Sequence, residues 1–183
     1  MVDYGSGNLR SVARALARSG MRPEVTSDAA QLRRADGVVL PGVGAFADCA
    51  ANLHAKGLDE AVVAAIEAGR PYLGLCLGLQ LLFEESEEHG PVKGLGLLRG
   101  RVERFPAHAP DGTRLRVPHI GWNDVRFAGS HPMLEALPEA DQYYFVHAYR
   151  VVPKEEGVTV GVTDYGGPFP AAVATERMFA VQF

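Results

Sequence analysis

Apolar and polar residues follow two different periods along this chain, and the period changes near its middle. In the first half, short apolar runs of strand type alternate with stretches that repeat every three to four residues, as helices do. Residues 1–3 form a strand stub, and residues 8–19 a helix stopped by Gly20. Residues 24–26 read as a short strand, and Asp28 caps a short helix running to Arg34. Val38-Val39-Leu40 is a buried strand that ends at Pro41-Gly42. Helices follow over 46–53 and over 59–68, the second closed by Gly69. A strand over 71–75 then leads into a helix predicted over 77–85. This order predicts an α/β fold: a mostly parallel sheet with helices on both faces.

The second half predicts strands over 101–105, 124–127, 142–146, 158–163, 170–175 and 178–183. Turn signals separate them, such as Asp111-Gly112 and Tyr165-Gly166-Gly167-Pro168. An antiparallel β region is therefore attached to the α/β core. No repeat, low-complexity segment or long linker divides the chain, so one domain over 1–183 is expected. Core strands usually run five or six residues. The first and last strands break off at the termini, so the chain is expected to be truncated at both ends.

Composition narrows the class. The 183 residues are 47% hydrophobic and 22% charged, as in a soluble globular chain that buries a sizeable core. A net charge of −4 gives no electrostatic case for nucleic acid or an anionic membrane. No signal peptide or bilayer-length apolar run is visible, so a reducing cytoplasm is the expectation. Cys49 and Cys76 form neither a disulfide framework nor a zinc spacing, and no metal or cofactor site is expected. Cys49 lies in a helical pattern, where packing is its expected role.

Gly74-Leu75-Cys76-Leu77-Gly78 sits between a strand pattern and a helix pattern. A G-x-C-x-G at such a corner is the thiol counterpart of a serine nucleophile elbow. The glycines permit a sharp turn, and the following helix points its first amides at the sulfur, which favours thiolate. The plain alternative is a cysteine packed as a small hydrophobe. Pro41-Gly42-Val43-Gly44 should lie at the same carboxyl edge of the sheet, where ligands bind in open α/β folds. The amides of Gly44 and Leu77 could together form an oxyanion hole, unless the glycine segment is an ordinary turn. Gln80, one helical turn after Cys76, is either a substrate contact or a boundary residue facing solvent.

Other features are weaker. Gly5-Ser6-Gly7 resembles half of a dinucleotide fingerprint, but Arg10 stands where the third glycine belongs. Arg10, Arg14 and Arg18 form a stripe on one helix face. His119 and His147 are each either structural or a base for Cys76. Trp122, the only tryptophan, suits burial or an interface. Glu84, Glu85, Glu87 and Glu88 read as a solvated helix end.

Five segments together resemble the class I (triad) glutamine amidotransferases, and among them the glutaminase subunit of imidazole glycerol phosphate synthase. They are Asp3-Tyr4-Gly5-Ser6-Gly7-Asn8, Pro41-Gly42-Val43-Gly44-Ala45-Phe46, Gly74-Leu75-Cys76-Leu77-Gly78-Leu79-Gln80, Pro118-His119-Ile120-Gly121-Trp122-Asn123 and Tyr144-Phe145-Val146-His147-Ala148-Tyr149. The resemblance implies that Cys76 attacks the glutamine amide to form a thioester, with Gly44 and Leu77 holding the oxyanion. It implies that Gly42, Gln80, Ala148 and Tyr149 grip glutamine. It also implies a (β/α)₈-barrel cyclase partner that receives the ammonia through a tunnel, docked against Asn8, Ser11, Arg14 and Trp122. In the family a His-Pro-Glu follows the Gln-Phe matching Gln182-Phe183 and supplies the base. The chain as written is therefore expected to be a badly impaired glutaminase. Competing readings are another class I amidotransferase, such as the glutaminase of pyridoxal phosphate synthesis, a non-catalytic subunit that keeps the fold, and a thiol hydrolase that needs no partner.

Overall fold

A computed structural model describes all residues, 1–183. The chain runs α1 (Leu9–Arg18), α2 (Ala29–Arg34), β1 (Val38–Gly42), α3 (Phe46–Ala55), α4 (Leu58–Glu67), β2 (Tyr72–Cys76) and α5 (Leu77–Gln80). It continues through β3 (Phe83–Ser86), β4 (Val92–Lys93), β5 (Leu98–Arg104), β6 (His119–Phe127), a 3₁₀ turn at Pro132–Leu134, β7 (Ala140–His147) and β8 (Tyr149–Pro153). It ends with β9 (Thr159–Asp164), β10 (Pro168–Ala174) and β11 (Met178–Val181).

The strands form a seven-stranded sheet, ordered β1-β2-β11-β10-β9-β6-β7, and a four-stranded sheet, ordered β4-β3-β5-β8. In the larger sheet β1, β2 and β11 are parallel neighbours. From β11 through β10, β9 and β6 to β7 every pairing is antiparallel. The fold is α/β with an antiparallel region in its C-terminal half, and the parallel part is smaller than the pattern predicts. The expected strands at 1–3 and 24–26 shrink to one parallel bridge, Val2 with Thr26. The Val2 N–H still donates to the Val39 carbonyl at 2.9 Å, so this segment continues the parallel edge beyond β1.

Local chemistry sets the helix starts. The Asn8 side chain accepts from the Ser11 N–H at 3.4 Å, and the Asp28 carboxylate from the Ala30 N–H at 2.8 Å. Val38, Leu40, Tyr72, Met178 and Ala180 point to one face of the sheet. There they pack with Leu32, Leu58, Val62 and Ala65 of α2 and α4 in the main core. Val39, Leu73 and Phe179 point to the other face and share a cavity with Leu16 of α1.

The predicted helix over 77–85 is a correction. It is a single turn, after which Phe83 and Ser86 pair with Leu98 and Val102 of β5. Leu79, Leu81, Leu82 and Phe83 are all essentially buried. A run apolar on every side carries no periodicity, and tertiary pairing decides it. The acidic cluster lies on β3 and the turn after it rather than at a helix end; Glu84, Glu85 and Glu87 are solvent-exposed, as expected, yet three of the four carboxylates are engaged. Glu84 accepts from the Gly100 N–H at 2.8 Å, Glu87 from Arg104 N–H at 2.7 Å, and Glu88 from Phe46 N–H at 2.7 Å. Three of these carboxylates tie the small sheet and α3 together.

Candidate active site

The strand register builds the site. Gly42 of β1 is the direct neighbour of Cys76 at the end of β2. On the other side Val181 of β11 pairs with Leu75, which sets Gln182 beside Cys76. Cys76 has φ 54° and ψ −108°, a backbone conformation that only one other non-glycine residue, His89, shares in sign of φ. Such a conformation costs about 1–3 kcal/mol and survives only where the surroundings enforce it.

Glycines and two tyrosines enforce it here. A Cβ at Gly74 would lie 2.6 Å from the Gly78 carbonyl oxygen and 2.9 Å from Ala180 Cβ. A Cβ at Gly78 would run into the Leu40 carbonyl oxygen. A Cβ at Gly42 would lie 2.6 Å from the Tyr4 hydroxyl and 2.7 Å from Leu77 Cβ. From beneath, the buried Tyr72 hydroxyl donates to the Gly78 carbonyl at 2.6 Å, and the Tyr4 hydroxyl to the Pro41 carbonyl at 2.8 Å. The corner is therefore packed backbone to backbone, with no room for side chains.

The half fingerprint at residues 5–7 buttresses this corner. The Ser6 hydroxyl donates to the Val43 carbonyl at 2.6 Å, and the Val43 N–H reaches Ser6 Oγ at 3.3 Å. Cys49 is buried with its sulfur 3.6 Å from both Val43 O and Ser6 Oγ, as its packing role requires. Gly44, two residues past Gly42, has φ +99° and nothing within 4 Å of an added Cβ. Its backbone thus lies exposed next to the cysteine corner.

Cys76 is partly exposed, and its thiol is raised above the ordinary range. Burial is the main cause; hydrogen bonds from the Leu77 N–H and the Gln182 side chain pull it down, and Cys49 pushes it up slightly. The expectation that the helix favours thiolate is thus outweighed. The Leu77 amide acts as expected, but α5 has only four residues and its dipole is small. Desolvation of the charged sulfur wins.

Gln80 is 2% exposed, which removes the solvent-facing alternative. Its Nε2 donates to the Tyr149 carbonyl at 3.3 Å, and its Oε1 is buried without a partner. Gln80 therefore joins Tyr149 to the helix that carries Cys76. Ala148 is the single residue between β7 and β8, and its carbonyl accepts from the Phe105 N–H at 3.0 Å.

Neither histidine hydrogen-bonds Cys76. The His119 ring stacks between Phe145 at 4.8 Å and Tyr165 at 4.1 Å, and burial lowers its basicity. His147 Nδ1 is engaged by the Tyr149 carbonyl at 2.8 Å, and burial pushes its pKa down to about 4. Both fit the structural reading. Asn8, Ser11 and Arg14 are exposed at the start of α1, where Asn8 is also the helix cap. Trp122 is 69% exposed, so burial is excluded. It pairs across the strands with Tyr144, next to the Ile120–Val146 pair, and all four are exposed.

Sequence reasoning missed Tyr4, Tyr72 and Gln182. The tyrosines carry no local signal, since their partners are 37 and 6 residues away. Gln182 becomes visible only once β11 is placed beside β2. A cavity of about 870 Å³ lies behind the sheet; Tyr72 lines it, but Cys76, Gly42, Gln80 and Gln182 do not. No group of His, Cys, Asp and Glu side chains is placed to hold a metal.

Comparison with known proteins adds to this geometry. The family model for class-I glutamine amidotransferase matches residues 1–183. The imidazole glycerol phosphate synthase subunit HisH of Geobacillus thermodenitrificans is 49% identical over 183 residues, covering 100% of this chain and 85% of that relative. The same subunit of Moorella thermoacetica is 50% identical, covering 100% and 84%. Among solved structures, a glutamine amidotransferase crystal structure aligns at TM-score 0.74 with 22% identity, covering 98% of this chain and 86% of the other. PurLQS from Thermotoga maritima aligns at TM-score 0.73 with 20% identity, covering 99% and 84%. At these identities the structural likeness is one of fold.

Proposed function

Since the chain belongs to the class I glutamine amidotransferases, and among them to the HisH subunits of imidazole glycerol phosphate synthase, we propose that its Cys76 releases ammonia from glutamine for histidine biosynthesis. The observation that carries this is the position of Cys76: a partly exposed thiol at positive φ, on a strand-to-helix corner flanked by Gly42 and Gln182.

The chemistry follows from that position. The sulfur adds to the side-chain carbonyl carbon of glutamine, and the oxygen takes up negative charge. The Leu77 and Gly44 amides stabilise that charge; one such donor is worth on the order of 10²–10³ in rate. The C–N bond then breaks, ammonia leaves with a proton, and a thioester remains. Water adds to the thioester, glutamate departs, and the thiol is restored. Gln80, Gly42 and the Ala148–Tyr149 backbone hold the substrate.

The raised thiol makes a proton acceptor important, and general acid–base help is worth typically ~10²–10⁴. His119 and His147 are engaged elsewhere, so neither serves as that acceptor. A HisH subunit implies a partner subunit. We assign that partner to a (β/α)₈-barrel cyclase fed by an ammonia tunnel. Its docking is supported by the exposed apolar strip of Ile120, Trp122, Tyr144 and Val146, together with Asn8, Ser11 and Arg14. No helix is long and apolar enough to cross a membrane. The free thiols suit a cytoplasmic setting.

Labelling with 6-diazo-5-oxo-L-norleucine, an electrophilic glutamine analogue, tests the reading. One adduct on Cys76, with none on Cys49 and protection by glutamine, is expected. Labelling on Cys49, or none on Cys76, would overturn it.

A further inference from the structure

The passage from β7 to β8 is an unusual junction. β7 is the edge strand of the large sheet, and β8 is the edge strand of the small one. The last rung of β6–β7 is His119 with His147, and the last rung of β5–β8 is Arg104 with Tyr149. The chain thus changes sheets across one residue, Ala148. The Phe105 N–H, one residue past β5, donates to the Ala148 carbonyl at 3.0 Å, but no rung of either ladder ties the step to the cysteine corner. Something local must do so.

The Tyr149 carbonyl oxygen supplies the fixed point. It receives His147 Nδ1 at 2.8 Å and Gln80 Nε2 at 3.3 Å. A carbonyl only accepts, so Nδ1 carries the proton and Nε2 holds the lone pair. That Nε2 is buried without a partner. The ring is boxed by Phe105 at 5.1 Å, and by Phe145 and Phe169 at 5.6 Å, which leaves it no other orientation toward a partner. Burial in this box keeps the imidazole neutral near pH 7, as the donor role needs.

Gln80 closes α5, the one-turn helix that begins immediately after Cys76. One carbonyl therefore joins the corner between the two sheets to the turn that carries the thiol. We infer that His147 is a positioning residue for glutamine: its Nδ1–H holds the Tyr149 carbonyl, and with it the Ala148–Tyr149 segment, in register with the Cys76 helix. This rests on the reading above, in which that segment grips the substrate. His147 itself touches neither substrate nor sulfur. Its effect falls on binding more than on bond-making, because the thiol and the oxyanion donors are held by the separate glycine corner.

The alternative is a histidine retained only for packing, and side-chain chemistry separates the two. Asparagine places its amide nitrogen where Nδ1 lies and can donate to the same carbonyl. Glutamine places it where Nε2 lies and cannot. Leucine fills much of the volume and donates nothing. The test measures Cys76 labelling by 6-diazo-5-oxo-L-norleucine over a range of probe concentrations in wild type, His147→Asn, His147→Gln and His147→Leu. It yields a half-saturating concentration and a limiting rate for each. Loss of a buried hydrogen bond predicts a half-saturating concentration raised roughly tenfold in the Gln and Leu variants. Limiting rates should stay within about threefold of wild type, and the Asn variant should restore the half-saturating concentration. If all three variants match wild type, or Asn is as poor as Gln, the positioning role is overturned while the glutaminase reading stands. If wild type itself takes no label on Cys76, both fall. Should the Leu variant not fold, the Asn–Gln pair carries the comparison alone.

Discussion

Gly74→Ala is the sharpest test of the cysteine corner. Gly74 lies two residues before Cys76, and its backbone conformation suits any residue, so the substitution introduces a contact and no φ strain. The added methyl would sit 2.6 Å from the Gly78 oxygen, 2.8 Å from the Gly78 carbon and 2.9 Å from Ala180 Cβ. Ordinary carbon contacts begin near ~3.5 Å, so the strand and the turn must separate by roughly 0.6 Å or more. Two of the three atoms are backbone and cannot rotate away. The Gly78 carbonyl is also held by the Tyr72 hydroxyl at 2.6 Å, so its retreat strains a buried hydrogen bond. Overpacking of this kind typically costs ~1–3 kcal/mol. The displacement falls on the first turn of α5, whose Leu77 amide favours the charged form of the sulfur. Urea unfolding should show a loss of ~1–3 kcal/mol, with the slope unchanged. Cys76 labelling should slow at saturating probe, because the sulfur and its donors no longer face the same point. A variant that unfolds at the wild-type midpoint and labels at the wild-type limiting rate would refute the claim that these glycines set the corner.

Two further outcomes follow. His147 is held neutral to about pH 4 when folded, against about 6.5 when unfolded, so the unfolded chain binds more protons between those values. Stability should therefore fall as pH drops from 6.5 toward 4, by roughly 3 kcal/mol from this group, and urea midpoints should show a shallower loss in His147→Leu. Trp122→Ala should leave stability within ~0.5 kcal/mol, since the side chain is exposed, yet weaken binding of the proposed cyclase partner about thirtyfold or more in a calorimetric titration. Unchanged affinity would move the partner surface elsewhere.

Much of the corner was legible because its signals are local. A glycine two residues either side of a cysteine, between a strand pattern and a helical one, needs no distant information. The Asp28 cap and the β1–β2 pair were legible for the same reason. The failures share a cause as well. Leu77 through Phe83 is apolar almost throughout, so nothing in the run says where helix yields to strand. β5, whose Leu98 pairs with Phe83 from 15 residues on, decides it. Glu84, Glu87 and Glu88 look like surface charges without partners until the backbone N–H groups of Gly100, Arg104 and Phe46 arrive opposite them. Gln182 lies 106 positions from Cys76 (182 − 76) and reaches its side only through the insertion of β11 between β2 and β10.

The sulfur's environment separates two tasks that the motif suggests are one. A thiol at a helix start is commonly read as a ready thiolate, but a one-turn helix supplies one useful amide and burial takes back more than it gives. The corner thus fixes direction and withholds charge. The glycine contacts aim the sulfur along a strained φ, while burial keeps the thiol protonated, so the proposed attack requires a proton acceptor. The rest of the site obeys the same division. Gln80 and His147 converge on one carbonyl, and in the proposed reading they set where a substrate lies without altering how nucleophilic the sulfur is. Variants at the Tyr149 junction should therefore change half-saturation, variants at the glycine corner should change the limiting rate, and a change of proton acceptor should move the pH profile.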